Sequence, residues 1–451
     1  MRDMTKGSAS DHLWRYALPL VIGNALQLAY NAVDSIIAGR FIGREALAAE
    51  GIAGPVINLI ILAVSGMCVG AGVLISEAFG AKDGDRLRRT FATTLKFGAM
   101  LCCLATALGV AATPAILRAL AVPGDIRQIT AAYLRIVFLG MPFTFFYNAL
   151  AMVLKGVGDS RTPLKFLAFS AVLNAALDLV FLGLLGFGIV CSAVTTVVAE
   201  AVSAALAGGY VLRRFPELCP RGDDWQSDRA LLRRIVRYAA PTALQQAIQP
   251  ICKVLIQSQV NALGVNVIAA FNAVTRMDDF ACIPAQSISS AMSTFIAQNR
   301  GAERNDRIRT GFRAGLRLEA LYGIFIGAVT LLLREPIVSL FVAGEGAGEI
   351  VALGARYLMY MSLFYLFPAF TNGFQGFYRG MGKMYTTIAG TSLQAGLRTA
   401  ATVLLAPRIG MTGIAFACAI GWSCMLLFEV PYYRHTCRKR NLPRRAAPAL
   451  E

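Results

Sequence analysis

Long apolar runs of similar length alternate along the chain with short polar, arginine-rich intervals. A helix rising ~1.5 Å per residue needs about 20 mostly apolar residues to cross the hydrocarbon layer. Runs of that kind lie near 13–39, 48–79, 91–113, 131–154, 163–184 and 189–212. Six more lie near 238–261, 267–299, 312–333, 353–377, 386–406 and 412–433. The pattern predicts an all-α integral membrane protein with twelve transmembrane helices. Met1 to Asp11 is polar and the run after it is long enough to span, so the first span is expected to be retained, not cleaved as a signal peptide.

The second six runs repeat the first six. Arg15-Tyr-Ala-Leu-Pro19 recurs as Arg237-Tyr-Ala-Ala-Pro241, and Gly80-Ala81, Asp85-Arg86, Arg88 and Phe91 recur as Gly301-Ala302, Asp306-Arg307, Arg309 and Phe312. Further on, Lys155-Gly-Val-Gly158 corresponds to Arg379-Gly-Met-Gly382. Six spans per repeat start both halves in the same orientation, so two six-helix bundles are expected about a pseudo-twofold axis along the membrane normal, with a central cleft. The expected organisation is a first lobe at 1–212, a cytoplasmic linker at 213–237, a second lobe at 238–434 and a basic cytoplasmic tail at 435–451. Pro216, Pro220, Gly222 and Asp223-Asp224 mark the linker.

Composition agrees with a lipid-solvated chain: 56% of residues are hydrophobic and 15% charged, and the mean hydropathy is +0.58. A net charge of +17 would suggest nucleic acid in a soluble protein. Here, with both termini cytoplasmic, 32 of the 43 Lys and Arg fall in inside loops and 6 in outside loops. That asymmetry explains the charge by topology, and no nucleic-acid partner is expected. The cysteines form no CxxC pair. The two histidines, His12 and His435, flank the first and last spans, so intramembrane proton chemistry falls to carboxylates.

A carboxylate within hydrocarbon costs several kcal/mol and needs a reason to be there. Counting ~1.5 Å per residue from the outer ends, Asp34, Asp178 and Thr196 lie ~8, ~9 and ~12 Å deep, at one level of spans one, five and six. Asn31 and Asn174 sit one turn from Asp34 and Asp178 on the same faces. Such an oxygen cluster suits a hard cation such as sodium or a shared proton. Alternatively, the Asp-Asn pairs bond helices together. Glu200 is on the face of Thr196, whereas Glu50 falls near the outer surface.

In the second half, Asp278 and Asp279 lie mid-span beside Arg276 and Asn272. Either an ion pair with Arg276 neutralises them, or one lines the cleft and attracts cations. Glu77, Glu319 and Glu429 are expected at the cytoplasmic interface. Tyr30, Phe145, Phe146, Tyr147, Met152, Phe364, Tyr365, Phe370 and Phe374 are candidates for an apolar binding wall. Pro19 is a candidate hinge in span one, bending when Asp34 or Asp178 is protonated.

Several elements in order carry a resemblance: Ala17-Leu18-Pro19, Asp34 followed by Gly39, Gly80-Ala81-Lys82, Lys155-Gly-Val-Gly-Asp159 and Asn174-Ala-Ala-Leu-Asp178. Over essentially its whole length the sequence resembles the MATE (multidrug and toxic compound extrusion) transporters of prokaryotic type. The resemblance implies a monomeric secondary antiporter of the bacterial plasma membrane, coupled to protons or sodium, that exports cationic or amphipathic compounds by alternating access without further cofactor. It also places the coupling site on Asp34, Asn174, Asp178 and Thr196, with Asp34, Asn174 and Asp178 as ligands if the ion is sodium. Two departures stand out. Cys191-Ser192-Ala193 replaces the usual Gly-Ala-Ala, and span seven lacks the carboxylate that some branches use for sodium.

A flippase for lipid-linked saccharides, from the related superfamily, is the alternative; it would be expected to carry cations in the cleft for pyrophosphate. No His-rich, Ser/Lys or metal-ligand constellation supports an intramembrane enzyme.

Overall fold

A computed structural model describes residues 1–41, 44–120, 122–226, 228–342 and 347–439, without the side chains of 32, 34–36, 38–41, 44–50, 55, 59, 63 and 437–439. Among the described residues the chain is helical, with no strand. The first helices are α1 (Ala9–Phe41), α2 (Arg44–Gly80), α3 (Gly84–Ala119), α4 (Gly124–Gly156), α5 (Arg161–Asp178) and α6 (Ile189–Arg214). They are followed by α7 (Arg229–Asn261), α8 (Val265–Gly301), α9 (Asn305–Ser339), α10 (Ala347–Phe364), α11 (Leu366–Gly380), α12 (Met384–Ile409) and α13 (Met411–Lys439).

The twelve expected spans each fall on this series. Span five is α5 continued by a π-helical turn, Leu179–Leu184, and span ten is the pair α10 and α11, bent by 48°. Eight described helices are long and apolar enough to span by composition alone, or nine with the bent pair counted. α7 is not among them, because it carries Gln245, Gln249, Lys253 and Gln257. Such a helix spans only where protein groups meet its polar face. Gln245 donates to Gln375 Oε1 (2.9 Å) and Thr391 Oγ (2.8 Å), and Gln249 donates to Gln394 Oε1 (3.0 Å).

The helices form two compact units. One comprises Met1–Asp3 and Pro19–Ala243, the other Met4–Leu18 and Leu244–Glu451. This division differs from a boundary at 213–237 in two respects. Residues 213–237 and the start of α7 pack with the first unit, where Gly66 and Gly70 of α2 leave room for α7. A Cβ on either would lie 2.5 or 2.6 Å from the Cα of Ala243 or Ala239. The turns of α1 before Pro19 belong to the second unit. There the Met4 N–H donates to Gln298 Oε1 (3.0 Å), and the Tyr16 hydroxyl lies 3.2 Å from Thr294 Oγ. Each exchange falls at or just beyond the repeated Arg-Tyr-Ala-x-Pro motif.

The repeat is also legible in the helix caps. Lys82 and Glu303, at equivalent positions, have left-handed backbones with φ of 59° and 56°. Each closes its helix through a bond from the next residue, Asp83 N–H to Ala78 O (3.0 Å) and Arg304 N–H to Asn299 O (2.9 Å). Gly158 (φ 86°) and Gly382 (φ 74°) end α4 and α11 in the same way. A non-glycine residue pays roughly 1–2 kcal/mol for this conformation, so its presence at two matched sites marks a duplicated turn.

In the segment between α6 and α7, Asp224 accepts from Arg88 Nε and from the Arg221 N–H, each at 3.0 Å. Burial works against ionisation of Asp224. The Arg221 N–H and the guanidinium groups of Arg88 and Arg89 outweigh it and hold the carboxyl below its ordinary range.

Candidate functional site

Asn174 and Asp178 stand one turn apart on α5, 1% and 0% exposed. Directly after Asp178 the backbone widens into the π-helical turn, a local irregularity that recurs at functional positions. Gly186 (φ 69°) then turns the chain so that α6 starts beside α5. Thr195 Oγ of α6 lies within hydrogen-bond reach of Asp178 Oδ1 and, at 2.8 Å, of the Ser192 carbonyl.

The Asn174 amide has one orientation that satisfies all its neighbours. Its nitrogen donates to Asp178 Oδ2 (3.0 Å) and to the Tyr30 hydroxyl of α1 (3.1 Å). Its oxygen accepts from the Thr196 N–H (3.1 Å) and Oγ (3.2 Å). The reversed amide would face its oxygen to acceptors only. Three helices of the first unit, α1, α5 and α6, therefore meet at the buried Asn174–Asp178 pair.

Of the residues expected at this site, Asn174, Asp178 and Thr196 are brought together. Asp34 lies on α1 four residues beyond Tyr30, and its side chain falls outside the described residues, as does that of Glu50. Asn31 is exposed and accepts from Gln27 Nε2 (3.2 Å), apart from the cluster. Glu200 accepts from Thr144 Oγ of α4, a separate link between α4 and α6. Pro19 is buried within an uninterrupted α1, where its missing N–H leaves the Arg15 carbonyl without its helical donor.

Helix spacing alone does not assign Thr195, the Ser192 carbonyl or the Tyr30 hydroxyl as partners of Asp178 or Asn174. Tyr30 was in fact detectable, being one turn from Asp34 on the same face. Instead of simply walling a cavity, it points its hydroxyl into the polar cluster. Phe145, by contrast, is fully buried in the first unit's apolar core.

In the second unit, Asp278 and Asp279 part company. Asp278 accepts from the hydroxyl of Tyr365, at the break between α10 and α11, at 2.5 Å, whereas Asp279 forms a half-exposed ion pair with Lys253 of α7 at 2.6 Å. Neither of these partners is Arg276, the neutralising group of one of the two alternatives. Glu319 and Glu429 also correct an expectation. Both are 0% exposed, enclosed by packed helices and not solvated at a surface. Glu77, by contrast, meets Arg234 (2.9 Å) and Arg86 (3.2 Å) near the end of α2.

Oxygen atoms dominate the Asp178 cluster, and oxygen suits a hard cation. Both carboxylate oxygens, however, already face O–H or N–H donors. A sodium ion held by Asp178 and Asn174 would need those donors to turn away.

Comparison with known proteins places the whole chain. The probable multidrug resistance protein YoeA of Bacillus subtilis is 28% identical over 457 residues, covering 98% of each chain. A solved structure described as the outward-facing conformation of a multidrug resistance MATE family transporter of the MOP superfamily has a TM-score of 0.90 at 21% identity. It covers 97% of this chain and 98% of that one. A MOP superfamily transporter from Pyrococcus furiosus, described as having a binding pocket of reverse polarity, has a TM-score of 0.88 at 22% identity over 98% of both chains. The MatE family model matches residues 19–180 and 241–404, one stretch in each repeat. Duplicated halves, shared helical architecture and full-length sequence similarity thus converge on one conclusion: the chain belongs to the MatE family of membrane transporters.

Proposed function

We infer that this protein is a cation-coupled secondary antiporter of the bacterial plasma membrane that exports cationic or amphipathic compounds by alternating access, with a proton exchanging at Asp178. The naming of the Bacillus subtilis relative as a probable multidrug resistance protein supports drug export. Nothing in the comparisons favours a lipid-linked saccharide flippase.

One observation carries the choice of a proton. The Thr195 hydroxyl has a single hydrogen and two acceptors in reach, Asp178 Oδ1 and the Ser192 carbonyl. With Asp178 ionised, that hydrogen serves only one of them. With Asp178 protonated, Asp178 donates to Thr195 Oγ and Thr195 donates to Ser192, so both bonds form. Loading and unloading a proton therefore reverses the direction of the bond between α5 and α6. Asn174, bonded to both Asp178 and Tyr30, passes that change to α1, in which Pro19 weakens the helical ladder.

The test is transport by purified protein in proteoliposomes, with proton and sodium gradients imposed separately and a panel of cationic dyes as substrates. A proton gradient is expected to drive dye accumulation in the wild type and not in Asp178→Asn. Accumulation driven by sodium alone would move the coupling to that ion, and wild-type export by Asp178→Asn would reject the site.

A further inference from the structure

Glu429 of α13 is wholly buried and only half bonded. Its Oε1 accepts from Gln375 Nε2 of α11, and its backbone carbonyl accepts from the Tyr378 hydroxyl at 2.5 Å. Gln375 Oε1 accepts in turn from Gln245 of α7, whose amide also reaches Thr391 of α12. One hydrogen-bonded chain thus ties four helices of the second unit to this carboxyl. Gly390 of α12 leaves it room, since a Cβ there would sit 3.2 Å from both Gln375 Nε2 and Glu429 Oε1.

The other carboxyl oxygen, Oε2, is buried without a partner. So is Nε of Arg379, one turn beyond Gln375 on α11. The remaining Arg379 contact is long, 3.4 Å from Nη2 to Ser289 Oγ, and the guanidinium lies near enough to act electrostatically on Glu429. An ionised carboxylate with one oxygen bare in the interior is strongly unfavourable. A protonated one leaves only a hydroxyl bond unmade. An unused guanidinium N–H and an unused carboxyl oxygen on adjacent helices are two halves of an ion pair open in this arrangement.

The other charged and titratable groups on the surrounding helices are placed elsewhere. Lys383, just before α12, donates to Thr436 Oγ (2.8 Å) at the end of α13. Arg398 of α12 meets α13 at Gly421, and Tyr357 of α10 interacts with Cys418, two to three turns from Glu429. Glu319 of α9 faces α11 at Gly373, and both its oxygens lack partners.

We propose that Glu429 is a second proton-binding site of this transporter, alternating between a protonated form held by Gln375 and an ionised form paired with Arg379. On release the carboxyl O–H bond breaks, the proton passes to water, and the guanidinium charge balances the carboxylate that remains. Closing the pair would draw the last turn of α11 toward α13, and α11 is already a separate segment, set off by the bend from α10. The proposal rests on reading the protein as ion-driven but does not depend on Asp178.

Infrared difference spectra of the purified full-length protein, titrated from acid to alkaline pH, test it directly through the carbonyl-stretch bands of protonated carboxyls. Glu429→Gln is expected to lose one band that Asp178→Asn retains. Arg379→Gln, which leaves Glu429 in place, is expected to keep that band to more alkaline pH than the wild type. In proteoliposomes, Glu429→Gln is expected to exchange dye down its gradient but to lose accumulation driven by a proton gradient. A Glu429→Gln spectrum identical to wild type, or an Arg379→Gln titration unchanged from wild type, would overturn the proposal. Loss of dye accumulation in Asp178→Asn with its own band unaltered would instead count against the Asp178 reading alone.

Discussion

The buried carboxyls of the two units are equally hidden and very differently bonded. Asp178 in the first unit has donors on both oxygens, supplied by Thr195 and Asn174. In the second unit Glu429 has one bare oxygen and Glu319 has two. A buried carboxyl with an unmet oxygen calls for a proton or a movement, whereas at Asp178 a proton redirects bonds whose partners are already in place. The contrast shows that two halves descended from one repeat need not keep their polar centres at matching positions. α5 carries the first centre, while α11 and α13 carry the second.

The sharpest way to break this comparison is to remove the best-bonded carboxyl. Asp178→Asn is expected to abolish ethidium extrusion from cells at unchanged expression, because Asn cannot exchange a proton. The complementary substitution is Glu319→Met. Replacing an orphaned carboxyl by an apolar group of similar size is expected to leave the thermal midpoint unchanged or raise it, while Asp178→Leu lowers stability by about 1–3 kcal/mol through its stranded donors. Equal losses from the two would erase the distinction drawn between the units.

Thr195→Val and Thr196→Val refine the picture within the first unit. Thr195 touches the carboxyl itself, so its loss is expected to destabilise by about 1–3 kcal/mol and to depress export. Thr196 touches only the Asn174 amide, and about 0.5–1.5 kcal/mol is expected. Denaturation in detergent together with dye export would order the pair.

The smallest effect lies outside the membrane. Asp224 is held below its ordinary titration range, so its stabilisation is present at neutral pH and lost as pH falls through that lowered value. Asp224→Asn is expected to cost about 1 kcal/mol or less at neutral pH, with the gap from wild type narrowing in acid.

Much of the first site was legible in the chain because its residues obey helix spacing. Asn174 and Asp178 are one turn apart, and the count inward from the outer ends brought Thr196 to their level. The Thr195 bond was not legible. Which of two adjacent threonines meets the carboxyl and which the Asn174 amide depends on the rotation of α6, and a one-residue step rotates a helix face by ~100°. Asp278 and Asp279 posed the same problem. Their partners Tyr365 and Lys253 come from other helices, whereas Arg276 is near only in sequence.

The sequence alone determined the number of spans and their duplication, because hydrophobic length and repeated motifs are properties of the chain read in order. Tertiary structure decided the rest. It buried Glu319 and Glu429 in the protein interior, and it brought partners to both oxygens of Asp178 while leaving Glu429 half bonded. Burial and hydrogen bonding are relations between helices far apart in sequence, and they exist only once those helices have packed.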